Sequence, residues 1–199
     1  MPLPACDKPR RWPRRGLRIL VWTTLGLPAG LGLYLGGLQL AGNIHIVEPG
    51  ALYRSAQLDE DDLGDVIDGY HIKSVINLRG ANPAAAWYRG ELAASRARGV
   101  VHYDVPLSAN DMVAPDVMAK IDALLRSAPK PVLIHCQSGA DRTGLVAAIY
   151  EYAIAARPAE EAEEQLSLRF GHVPYLWSRT GAMDRSFEIF VRQRPAIDG

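Results

Sequence analysis

The hydrophobic pattern opens on one long uncharged run. From Ile19 to Leu40, ILVWTTLGLPAGLGLYLGGLQL holds no Asp, Glu, Lys or Arg over 22 positions. A helix of about 20 apolar residues spans a hydrocarbon core of about 30 Å, so the run predicts a transmembrane anchor over 19–41. Asn43 to Gly50 reads as a connector closed by a Pro49-Gly50 turn. Beyond it, short runs rich in β-branched residues alternate with longer segments of helical period. ALYRSAQ (51–57) predicts a short edge strand, SVINLR (74–79) and PVLIHC (131–136) predict buried strands, and VVHYDVPL (100–107) predicts a further strand between them. Helices are predicted over 58–70, 82–99, 115–128, 143–156, 158–170 and 180–194. In 115–128, for example, Val117, Met118, Ile121, Leu124 and Leu125 recur on one face. Strands alternating with helices imply an α/β fold, a central mostly parallel sheet flanked by helices. The expected organisation is a basic tail (1–18), the anchor (19–41) and a folded domain (44–194).

Charge sharpens the picture at the front end. Residues 1 to 18 hold Lys8, Arg10, Arg11, Arg14, Arg15 and Arg18 against Asp7 alone, while the chain as a whole is neutral. Bases beside a spanning segment stay cytoplasmic. The expected location is therefore a single-pass protein of a bacterial inner membrane, its N-terminus cytoplasmic and its domain periplasmic. Gly26/Gly30 and Gly32/Gly36 fit a G-x-x-x-G pattern, through which two anchors can pack as a dimer. The remaining domain is net acidic, which disfavours a nucleic-acid partner, since that binding rests on many Lys and Arg contacts to phosphate.

The two cysteines, Cys6 and Cys136, form no disulfide framework. Cys136 ends a buried strand, and a strongly apolar helix starts just after it. The loop between Cys136 and Arg142, Gln137-Ser138-Gly139-Ala140-Asp141, carries no bulky side chain. Gly139 permits a positive φ, and a tight turn there points backbone N–H groups inward at a helix N-terminus, an anion-binding arrangement. Arg142 can grip two oxygens of the same anion. The positive helix end and Arg142 both favour the thiolate of Cys136, and Thr143 is placed to donate its hydroxyl to the sulfur.

HCQSGADRTG, with His135, Cys136, Gly139, Arg142, Thr143 and Gly144, resembles the H-C-x5-R-[ST]-G signature of cysteine-dependent protein-tyrosine and dual-specificity phosphatases. LYRSAQ, INLRG and the AND loop further resemble their compact bacterial dual-specificity-like branch. The resemblance implies a dual-specificity phosphatase-like fold over the domain. It also implies a two-step hydrolysis of phosphate monoesters. Cys136 attacks phosphorus, and water releases the phosphocysteine, while Arg142 and the loop from Gln137 to Arg142 bind the phosphoryl oxygens. His135 then orients the loop, and neither metal nor cofactor is required.

Two carboxyl groups compete to protonate the leaving group. In the dual-specificity branch the acid comes from a loop ahead of the helix that precedes the signature strand, a place that Asp111 in SAND matches. Asp141, inside the loop, gives an ending D-R-T that resembles myotubularin-like and Sac-like lipid phosphatases, some with a loop Asp proposed as acid. A turn Asp and a solvent-facing Asp are the respective structural alternatives. The expected substrate is a phosphotyrosine or phosphoserine/threonine protein, with a phospholipid or phosphoinositide as the alternative. The Asp141 carboxylate argues against highly charged ligands. Arg79 either flanks the pocket or forms a surface ion pair, and Tyr175, Trp177 and Arg179 either rim the site or anchor helices. A non-catalytic phosphate-binding module and a rhodanese-type sulfur transferase are the competing functions.

Overall fold

The computed structural model describes residues 22–174 and 179–194. The basic tail, residues 19–21 of the predicted anchor, Cys6, Tyr175 and Trp177 lie outside them. The chain divides into two compact units, one reaching Gly37 and one from Leu38 onward.

Up to Gly37, a π-helical turn, Trp22–Gly26, leads into α1, Leu27–Leu40. Among the described residues no helix is long and apolar enough to cross a membrane. The single helix expected over 19–41 is thus not seen among the described residues, and its first three positions lie outside them. The regular ladder starts only at Leu27 and Pro28, where the proline ring removes an N–H donor. The 14 residues of α1 reach about 21 Å, short of the about 30 Å of a hydrocarbon core. The π turn and α1 together present exposed apolar side chains at Trp22, Leu27 and Leu33.

From Leu38 onward the architecture is the expected α/β layering. Five strands, β1 (His45–Glu48), β2 (Leu52–Ser55), β3 (Ser74–Asn77), β4 (Val101–Asp104) and β5 (Val132–His135), form one sheet in the order β1-β2-β5-β3-β4. β1 runs antiparallel to β2, and every other pairing is parallel. The predicted connector therefore contains the true edge strand, β1, and β2 lies inside the sheet. Four residues pairing on one side only are too short for a periodicity to register. β2, β3 and β5 are buried at all four positions, as strands covered on both faces must be.

The helices are α2 (Glu60–Tyr70), α3 (Ala86–Ala97), α4 (Pro115–Ser127), α5 (Asp141–Ala153), α6 (Ala159–Glu163) and α7 (Gly181–Gln193). Asp59 caps α2 by accepting from the Asp62 N–H, and Pro115 opens α4. The helix expected over 158–170 breaks into α6 and a 3-10 turn, Leu168–Phe170. One core cluster packs Leu145, Val146 and Ile149 of α5 against Met118, Leu125 and Phe187; a smaller one lies under α2, with Leu63, Ile67 and Leu133. The consequence for function is that α5, with ten buried residues, is clamped against the sheet. Its N-terminus is thereby aimed at the carboxyl end of β5.

Candidate active site

β5 ends at His135, and α5 begins at Asp141, so the predicted loop is a real turn between a central strand and a buried helix. Cys136 is a free thiol, 1% exposed. Gly139 has φ +71, and a Cβ there would lie 2.7 Å from Ser55 and Ala56 backbone atoms. Both the left-handed backbone and the close approach to β2 require glycine. Gly144 serves a second contact, since a Cβ on it would lie 2.7 Å from the Gln165 carbonyl.

The loop is held from below and from the side. Arg54 of β2 is fully buried and donates from Nη2 to the Gly139 carbonyl at 2.7 Å. Its Nη1 donates to the Gln165 carbonyl and side chain, and Phe170 stacks 3.9 Å from the guanidinium. Burial lowers the Arg54 pKa to about 9, with the charges of Cys136 and Glu151 acting in the opposite direction. On the other side, the Asn43 and Gln39 side-chain amides both donate to the Ser138 carbonyl, at 2.9 and 3.0 Å. With their carbonyls so engaged, the loop residues keep a fixed path.

Arg142 donates through Nη1 to the carbonyls of Leu78 (3.4 Å) and Leu107 (3.2 Å), while its Nε is buried without a partner. The Thr143 hydroxyl is likewise buried and unpartnered. A cationic donor and a hydroxyl, both desolvated on the turn that follows a free thiol, suit an oxyanion ligand.

A family model for the tyrosine phosphatase family matches residues 34–162. The chain belongs to the tyrosine phosphatase family. No curated protein matches the sequence. Among solved structures, TpbA of P. aeruginosa is similar, at 24% identity over 78% of this chain and 87% of that one, with a TM-score of 0.58. The core catalytic domain of SIW14 of S. cerevisiae, a PP-IP phosphatase, shares 20% identity over 76% and 89%, also with a TM-score of 0.58. A phosphatase described from Shewanella putrefaciens shares 17% over 79% and 95%, with a TM-score of 0.61. At these identities the likeness is one of fold. The family makes the chain a phosphatase of the cysteine-dependent tyrosine and dual-specificity superfamily.

The phosphatase places its two candidate acids differently. Asp111 is exposed on the loop between β4 and α4, and its Oδ2 accepts from the Ser108 hydroxyl at 2.8 Å. That loop is pinned at both ends, at Leu107 by Arg142 and at Val113 by the Ser186 hydroxyl. Asp141 instead accepts a 2.7 Å hydrogen bond from Nδ1 of His172, whose Nε2 donates to Asp184 at 3.0 Å. Burial opposes protonation of His172, but the hydrogen bonds to Asp141 and Asp184 outweigh it and raise its pKa to about 9.

A second buried ion network backs His135. Its Nε2 donates to Glu91 at 3.0 Å, and His102 Nε2 donates to the same oxygen at 2.6 Å. The Gln57 amide donates to the other oxygen at 3.0 Å. Burial pushes the Glu91 pKa up, but the hydrogen bonds from His102, His135 and Gln57 hold it well below the usual carboxylate range. Gln57 also donates its backbone N–H to the Gln137 carbonyl at 3.1 Å, so this network touches the loop after Cys136.

Sequence reasoning passed over Arg54, Glu91, Asn43 and His172. Arg54 left a usable signal, a lone cation in a strand otherwise fit for burial. Glu91 and His172 left none, because their partners lie 44 and 31 positions away.

Proposed function

We propose that this phosphatase hydrolyses phosphotyrosine or phosphoserine/threonine esters of proteins through a phosphocysteine intermediate. One observation carries the reading: the buried, unpartnered Nε–H of Arg142 at the loop that opens on Cys136. A phosphoryl oxygen satisfies that donor, and the N-terminus of α5 supplies further N–H groups. The Cys136 thiolate attacks phosphorus, an S–P bond forms, and the P–O bond to the alcohol breaks. Asp111 gives its proton to the departing oxygen. Water then attacks the phosphocysteine, Asp111 takes the proton back, and phosphate leaves. The unused Thr143 hydroxyl supports the thiolate as leaving group in this second step. Asp141 is engaged by His172 at the start of α5 whereas Asp111 is exposed on its loop, which favours Asp111 as the acid. TpbA, of similar fold, has been solved in complex with pTyr, which supports the aryl ester as substrate.

The uncharged run from Ile19 to Leu40 and its basic flank support attachment to a membrane, with the catalytic unit on the periplasmic side. A reporter fused after Gly199 that is active only in the cytoplasm overturns that placement.

The chemistry is tested with the full chain and an aryl phosphate under reducing conditions, with acid quench and intact-mass measurement. Turnover with a transient adduct of one phosphoryl group on Cys136, both absent in Cys136→Ser, is the expected result. Turnover that persists in Cys136→Ser overturns the mechanism.

A further inference from the structure

Arg79 stands immediately after Leu78, whose carbonyl Arg142 holds. Its guanidinium lies over the Trp87 ring at 3.9 Å and donates one hydrogen bond, at 3.3 Å, to the Gln57 side-chain oxygen. Gln57 is bonded in turn through its backbone to Gln137 of the phosphate loop. The guanidinium is thus fixed from two sides, by a ring and by a residue attached to that loop. An arginine has five N–H donors, and Arg79 takes part in none of the ion pairs among the described residues. The surface ion pair that the sequence also allowed is absent there.

The surroundings give this cation electrostatic access to the catalytic groups. Burial, then the positive charge of Arg142, lower the Arg79 pKa, and Cys136 and Glu91 act in the opposite direction. Glu91 is already committed to His102, His135 and Gln57. Asp141, the sequence-based ground for rejecting highly charged ligands, has its charge met by His172. A partly buried arginine braced on an aromatic face, with donors to spare and no carboxylate partner among the described residues, is built to receive an anion.

Resting on the phosphatase reading above, we infer that Arg79, braced by Trp87 and Gln57, is a second-anion subsite. The preferred substrate is then a phosphate monoester with another anionic group, a phosphate or a carboxylate, next to the scissile one.

The test uses the full chain and two substrate pairs. One pair is an inositol monophosphate and an inositol bisphosphate with neighbouring phosphates. The other is a phosphotyrosine peptide with Ala and the same peptide with Glu beside the phosphotyrosine. In at least one pair the wild type is expected to prefer the doubly anionic member by about tenfold in kcat/KM, through KM, as one charge-assisted contact supplies. High salt should shrink the preference. Arg79→Met should bring the ratio to about one, and Arg79→Lys should restore part of it. A response in the inositol pair alone assigns a phosphate as the second anion, and one in the peptide pair alone assigns a carboxylate. Ratios that are the same in wild type and Arg79→Met overturn the subsite, while phenyl phosphate turnover shows that the enzyme is intact. Absence of phenyl phosphate turnover in the wild type would instead sink the phosphatase reading itself.

Discussion

His172 reaches across from the segment after the 3-10 turn to hold Asp141, the first residue of α5, at 2.7 Å, with Asp184 on its other nitrogen at 3.0 Å. The imidazole is fully buried. It therefore joins the helix that carries Arg142 to α7 through a buried cation between two carboxylates.

This arrangement makes stability depend on pH in a defined direction. Folding raises the His172 proton affinity from an ordinary 6.5 to about 9. The contribution is whole below pH 6.5 and fades as the pH rises through the folded value. His172→Gln should destabilise the protein by about 3 kcal/mol near neutrality, as loss of one partner of a buried ion pair does. In urea titrations the gap to wild type should narrow between about pH 7 and 10. A gap independent of pH rules out the charged imidazole.

The same contact separates the two acids. Asp111→Asn should slow alkyl phosphate esters about a hundredfold, at the lower end of what general acid catalysis contributes. Esters of good leaving groups should change far less. Asp141→Asn should lower the melting temperature and change the alkyl-to-aryl rate ratio little. An altered ratio in Asp141→Asn with none in Asp111→Asn reverses the assignment.

Gly139 is restricted both by its left-handed backbone and by the β2 strand 2.7 Å from where a Cβ would be. Gly139→Ala should lose more than the about 1–2 kcal/mol of left-handed strain and should abolish turnover. Gly50, with φ +72 and nothing within 4 Å of a Cβ, supplies the control. If Gly50→Ala costs as much in urea as Gly139→Ala, the close approach to β2 is not what restricts the loop.

Glu91 predicts an effect at the acid end. Its pKa is depressed below the ordinary 4.5. Its stabilisation is thus present above that value and is lost as the pH falls through the folded pKa. Glu91→Gln, which keeps the shape but not the charge, should cost about 3 kcal/mol at pH 7 and weaken His135 and the loop behind it. Acid unfolding followed by circular dichroism should show a shallower decline in the variant. An unchanged acid limb would falsify the role of the Glu91 charge.

Much of the fold was legible because burial writes itself into short-range pattern. β3 and β5 read as apolar runs because both faces are covered, and α4 read as a helix because one face is. β1 was not legible, since an edge strand pairs on one side only and its apolar Ile46 is exposed while only Val47 is buried. The apolar front run was read as one spanning helix from composition, whereas the regular helix among the described residues starts at Leu27. Hydropathy sums over a window and does not register where a π turn gives way to a regular α-helix.

The sequence by itself determined the make-up of the loop. Cys136, Gly139 and Arg142 lie within seven residues of chain, so their nearness needs no tertiary contact. Tertiary structure decided what stands around that loop. Arg54 beneath Gly139, Glu91 behind His135, His172 on Asp141 and Arg79 over Trp87 each pair with a group brought close only by strand order and helix packing. A charge gains or loses its partner through space, and no local spacing encodes a partner that folding alone brings near.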